Sequence, residues 1–145
     1  METSKWHFVD ALPPTQQPPE QIFNEYADSL EADTKGLILG RVVERLHENR
    51  DDNGEILTKV VYVLYLVVPQ LRNYSYRLLE LERKNFVEDY PVNVRLFLKS
   101  GTHEETASTA DDLDKKLKAA SNAAGMLLTT IRFQVETLRD NKPTD

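Results

Sequence analysis

Nine consecutive residues, Val60 to Val68 (VVYVLYLVV), carry no polar group beyond two tyrosine hydroxyls. Extended back through Ile56 and Leu57 and halted by Pro69, this run limits what the chain can fold into more than any other stretch. Periodicity alone does not separate a strand from a buried helix here. Side-chain chemistry does. Val60, Val61, Val63, Val67 and Val68 are branched at Cβ, and Tyr62 and Tyr65 are aromatic, which suits a pleated surface. Pro69 ends the ladder because it has no N–H to donate. A membrane-spanning helix needs roughly 20 apolar residues, more than the run supplies.

On a strand, Val60, Tyr62, Leu64, Leu66 and Val68 share one face, and Val61, Val63, Tyr65 and Val67 share the other. A strand with one wet face alternates with polar residues. This one does not, so both faces are expected to be covered, by helices or by a second subunit. Burying each large side chain is worth about 1.5–3 kcal/mol. A charge at Leu64 is therefore expected to unfold the domain.

The 145 residues suffice for one domain with a real core. A net charge of −6 lacks the basic field of a generic nucleic-acid binder. The absence of cysteine excludes disulfides and thiolate catalysis, and it fits a reducing cytoplasm. The first residues, METSKWHFVDALPP, lack the apolar stretch of a signal peptide.

Residues 1–18 read as an extended arm, with Trp6 and Phe8 ahead of Pro13, Pro14, Pro18 and Pro19. A single α+β domain follows over residues 19–140, with a frayed tail at 141–145. Residues 19–33 predict an amphipathic helix: Pro19 and Glu20 suit its first turn, and Ile22, Phe23, Tyr26 and Leu30 fall on one face. Residues 37–48 fit either a helix or a strand. Asn53-Gly54 after them is a hairpin signal, which favours a strand paired antiparallel with 55–68. Residues 74–83 and 92–99 alternate as strands, and 100–108 read as a polar loop. Thr109 and Asp112 then form a helix-start pattern. One long helix is expected to about Arg139, with a possible bend at Gly125 and a heptad-like stripe of Leu113, Leu117, Ala120, Ala124, Leu127, Ile131, Val135 and Leu138. The expected fold is thus an antiparallel four-stranded meander with an N-terminal helix and a long C-terminal helix.

Chemistry-bearing motifs are scarce. His7, His47 and His103 lie in separate elements without ligand spacing, so no metal site is expected. Asn49 to Gly54 imitates the start of a calcium loop, but its twelfth position is Val60 where a glutamate is required. No glycine-rich phosphate loop or nucleophile elbow is present, and no cofactor is expected. The alternation Arg77 to Lys84 suggests cross-strand charge pairs with Arg95 and Lys99 on a solvated sheet face.

These features favour a non-enzymatic protein-interaction module acting as a homodimer: an adaptor, a chaperone-like escort or an inhibitor of the immunity type. Nucleic acid and membrane are not expected partners. The candidate interaction surface is Trp6, Phe8, Leu117, Ala120, Ala124, Leu127 and Ile131. The alternative is a small-molecule module with an apolar cavity between sheet and long helix, lined by Tyr62, Tyr74, Tyr76 and Leu96. An enzyme using Tyr76, Arg95 and Glu80 ranks third, because no spacing supports it.

Overall fold

The computed structural model describes residues 17–83 and 88–140. Its elements run α1 (Pro19–Asp33), β1 (Leu39–Arg50), β2 (Ile56–Val68), β3 (Tyr74–Arg83), β4 (Val92–Leu98), β5 (Gly101–Ala107), α2 (Ala110–Ala123) and α3 (Gly125–Asp140). The five strands form one antiparallel sheet in chain order, β1-β2-β3-β4-β5. The class is α+β, as expected, with one strand more than the sequence suggested.

The β1–β2 hairpin forms over the Asn-Gly signal. Asp51 closes the turn: its Oδ1 accepts from the N–H of Asn53 at 2.9 Å and of Glu55 at 2.8 Å. Gly54 sits at φ +80°, a region that favours glycine. Residues 37–48 are therefore strand rather than helix, apart from the approach through Leu37 and Ile38.

β3 explains its own irregular alternation. Leu64 of β2 pairs with Leu79, whereas Tyr65 pairs with Arg77, so Leu78 is the extra residue of a β-bulge. The bulge reverses the phase of the strand. Tyr74 and Tyr76 before it share a sheet face with Leu79 and Leu81 after it, while Arg77 joins Glu80 and Glu82 on the other.

β5 replaces the expected polar loop. Its residues GTHEETA carry no apolar alternation, and only Ala107 is buried. As an edge strand it needs only a backbone ladder to β4, and exposed polar side chains suit such an edge. The expected single C-terminal helix is likewise two, parted between Ala123 and Gly125. Thr109 caps α2 by accepting from the N–H of Asp112 at 3.1 Å, and Asp112 Oδ2 accepts from the N–H of Ser108 at 3.1 Å.

All three helices contribute to one core on one side of the sheet. Ile22, Phe23 and Ala27 of α1, Leu113 and Leu117 of α2, and Ile131 and Val135 of α3 join the inward residues of β2, β3 and β4. α1 lies so close to β1 that a Cβ on Gly40 would collide with the Ala27 carbonyl oxygen, with Ala27 Cα 3.0 Å away. Only glycine admits that approach.

Of the covers expected for the two faces of β2, helices supply one face only. Among the described residues no helix packs on the outer face. Val61 and Val63 are nonetheless 6% and 1% exposed. They are hidden by charged side chains from β1, β3 and β4: the aliphatic stems of the cations cover apolar surface, and the poorly exposed Glu80 and Glu82 are held in ion pairs.

Candidate functional site

The outer face is built by strand register. Val61 and Val63 of β2 lie opposite Arg45 and Val43 of β1 on one side, and opposite Glu82 and Glu80 of β3 on the other. Glu80 in turn faces Arg95 of β4, which faces Glu104 of β5. Two valines thus floor a shallow concavity of about 410 Å3, walled by Arg45, His47, Lys59, Arg77 and Arg95 together with Glu48, Glu80 and Glu82.

The charges are interlocked. Glu80 pairs with Arg77 at 3.3 Å and with Arg95 at 3.4 Å. Glu82 pairs with Arg95 at 3.1 Å and with Lys59 at 3.7 Å. Arg95 also reaches Glu104 through Nε at 3.3 Å. Partial burial works against the Arg95 charge, but hydrogen bonds and attraction from Glu104 and Glu82 outweigh it and its pKa rises. The bulge makes one of these pairs possible, because it brings Arg77 and Glu80, three apart, onto the same face. Arg77 also stacks its guanidinium 4.1 Å above the Phe97 ring. The cross-strand pairing read from the sequence is thus present for Arg95.

β1 differs from the rest of this face. Arg41 and Arg45 project outward and are exposed, and among the described residues neither forms an ion pair. Arg45 instead donates from Nη2 to the Tyr65 hydroxyl at 2.8 Å. The outward positions hold five cations, Arg41, Arg45, Lys59, Arg77 and Arg95, against three carboxylates, Glu80, Glu82 and Glu104. A chain of net charge −6 has therefore set an excess of positive charge on one surface.

A second polar cluster lies at the neighbouring position of the ladder, on the helical side of the sheet. Arg83 is buried and bonds Glu20 of α1 at 3.3 Å and Asp89 at 2.9 Å. It ties the start of α1 to the end of β3. Tyr90 donates to the Gln17 carbonyl at 2.7 Å. Burial, with Asp89 and Glu20 nearby, pushes its hydroxyl pKa up to about 12. Burial also raises that of Tyr62, with Glu20 and Glu44 adding to it. This cluster is fastened rather than open, and its role is to dock α1.

Of the sequence-predicted interaction surface, Trp6 and Phe8 lie outside the described residues. Leu117, Ala120, Ala124 and Ile131 are buried in the chain's own core, and Leu127 is half-buried against it. Core packing accounts for that stripe without a partner. The four cavity candidates do not converge. Tyr62 packs beside the Arg83 cluster, Tyr74 is 49% exposed, and Tyr76 donates to the Phe97 carbonyl at 2.7 Å. Leu96 alone lines a groove, of about 230 Å3, beside Ala119, Ala120 and Ala123 of α2. The third combination is also split: Arg95 and Glu80 touch, but Tyr76 points to the opposite face. Sequence reasoning missed Arg41 and Arg45. The signal was present in β1 as the outward series Arg41, Val43, Arg45, His47, which is readable only once β1 is known to be an edge.

What this geometry offers chemically is a charged, ion-paired surface on an apolar floor. Among the described residues no helix is long and apolar enough to cross a membrane. The sequence matches no protein-family model, and it has no significant match among curated proteins or solved structures.

Proposed function

We propose that this chain is a non-enzymatic protein-interaction module that binds its partner through the outer face of the sheet. The observation that carries this reading is the uncovered charged lattice over Val61 and Val63. Interlocked ion pairs hold the side chains in place before a partner arrives, so less freedom is lost on binding. Charged surfaces of this kind set orientation and partner choice more than raw affinity. A cysteine-free chain suits a reducing cytoplasm, where we place it.

The test is comparative capture with purified protein as bait in an extract of the source cell. Arg77→Glu inverts a charge on the outer face, and Lys118→Glu inverts one on an exposed position of α2. The partner should be retained by the wild type and by Lys118→Glu and lost by Arg77→Glu. Light scattering on the purified chain then separates a foreign partner from a second copy. Identical capture by all three proteins would remove the outer face from the reading.

The small-molecule reading has one supporting observation, the groove at Leu96. Its volume of about 230 Å3 falls below the roughly 300–1,000 Å3 of ordinary ligand pockets.

A further inference from the structure

We propose that the free edge of β1 accepts an extended acidic segment of a partner as a sixth strand. This rests on the reading of the outer face as an interaction surface and names the chemistry of what binds there.

The two edges of the sheet are unequal. β5 is seven residues long and bears Glu104 and Glu105. β1 is twelve residues long and, among the described residues, pairs on one side only, with β2. An unpaired edge of that length presents a row of backbone donors and acceptors, and adding a strand to such an edge is a recurring mode of peptide recognition. No proline falls within β1, and its pairing with β2 is unbroken from Leu39 to Arg50.

The side chains of β1 specify what the added strand must carry. Its outward positions include Arg41 and Arg45, which no carboxylate among the described residues neutralises. Residues directly opposite on neighbouring strands interact, and opposite charges there are favourable. An incoming strand with acidic residues at its outward positions would meet both arginines. The inward positions differ: Val42 is half-buried, and Leu46 is 59% exposed. Glu44 and Glu48 lie on that side as well, so inward acids would be repelled. The complementary segment alternates acidic and apolar residues. Beside Leu39 to Val42 the surface is hollowed by about 720 Å3, with Glu31 of α1, Val67 and Ser75 also lining it, so a chain has room to lie down there with its acidic side chains toward Arg41 and away from Glu31.

A second copy of this chain fits the edge poorly. Antiparallel pairing of two β1 strands over nearly their whole length must be centred on Glu44 or on Arg45. The first register sets Glu44 against Glu44 and the second sets Arg45 against Arg45. Like charges directly opposite are destabilising. A foreign acidic strand meets neither obstacle.

The experiment is fluorescence anisotropy on the full chain with three labelled nonapeptides. The first alternates glutamate and valine, the second alternates lysine and valine, and the third is the acidic peptide with alternate amides N-methylated. The acidic peptide should bind saturably. The basic one should not. The N-methylated one, with its charge intact but its ladder blocked, should lose at least tenfold. Arg41→Glu combined with Arg45→Glu should weaken the acidic peptide at least tenfold, with an unchanged melting temperature showing that the fold is intact. Failure of the acidic peptide to bind would mean that the arginines only shield the edge, and it overturns the inference. Equal binding of the N-methylated peptide overturns strand addition and leaves charge attraction alone. Neither result touches the broader interaction reading, which stands or falls on the capture experiment with Arg77→Glu.

Discussion

Val63 and Leu64 are neighbours in β2, each 1% exposed, and they are hidden by different means. Leu64 points into an apolar core to which α1, α2 and α3 contribute. Val63 points the other way, beneath Arg45, Arg77 and Glu80; the two arginines keep their charged ends exposed, and the poorly exposed Glu80 is paired with Arg77 and Arg95. Depth alone does not tell the two environments apart. What separates them is the response to a new charge. The core cluster around Leu64 is apolar, so an ion placed there bears its full desolvation cost. The outer layer already consists of charges and can reorganise around one more.

The largest test of that contrast is a pair of lysines. Leu64→Lys should lose more than about 4 kcal/mol and abolish the cooperative thermal transition, since an unpaired buried charge is among the most damaging single changes. Val61→Lys, opposite Glu82 on the outer side, should lose only about 1–2 kcal/mol, because the lysine stem keeps much of the valine's apolar contact. Circular-dichroism melts of the two proteins decide the matter. Equal loss of structure would show the outer layer to be as dry as the core. Next in size is Gly40→Ala, which forces α1 off β1 by colliding with the Ala27 carbonyl. Overpacking of this kind should cost roughly 2–3 kcal/mol in chemical denaturation. A stabilised protein would mean that α1 rides more loosely on the sheet.

The two faces also differ in how far the sequence revealed them. α1 and β3 were readable to the residue, because Pro19 and the run Tyr74–Arg83 carry strong local signals. The apolar stripe through Leu113, Leu117 and Ile131 was equally plain, although core and partner surface look alike in a sequence. β5 was not readable. An edge strand with no buried face, such as GTHEETA, has no periodicity to show, and only its register with β4 makes it a strand. The bulge at Leu78 likewise broke the alternation that would have sorted Arg77, Glu80 and Glu82 onto one surface. The charged outer face was hidden for that reason: its members come from five strands, and each residue considered alone is an ordinary surface charge.

A middle-sized effect isolates the ion lattice itself. Arg95→Met removes the one cation shared by Glu80 and Glu82 and leaves two poorly exposed carboxylates on adjacent outward positions of β3. Because Arg95 keeps part of its surface in water, the loss should be about 1–2 kcal/mol, below that of a fully buried pair. Replacing Glu82 and Arg95 together by Met should recover most of it, since apolar substitutes for a partly buried pair are often neutral. If the double variant is no better than Arg95→Met, the lattice contributes through geometry rather than charge balance, and the outer face behaves more like the core than the contrast allows.

The smallest effect lies where α1 meets α2 on the helical side. Tyr26 donates to Asp114 Oδ1 at 2.9 Å and to the Asp114 carbonyl at 3.1 Å, joining the two helices at the rim of the core. Burial, then the hydrogen bond and charge of Asp114, push its hydroxyl pKa up to about 12 from an ordinary 10.0. A pKa raised on folding means that the folded state holds the proton more tightly than the unfolded one. The stabilisation is therefore complete below pH 10 and is lost as pH rises toward 12. Tyr26→Phe keeps the ring and removes the hydroxyl, so at pH 7 it should cost about 0.5–1.5 kcal/mol. The gap in melting temperature between wild type and Tyr26→Phe should then narrow between pH 10 and 12, as the wild type gains a phenolate beside a carboxylate. A gap of constant width across that range would mean that the hydroxyl titrates as freely as in the unfolded chain. The rim of the helical side would then be as well hydrated as the outer face, and the boundary between the two environments would lie deeper in the core than Tyr26.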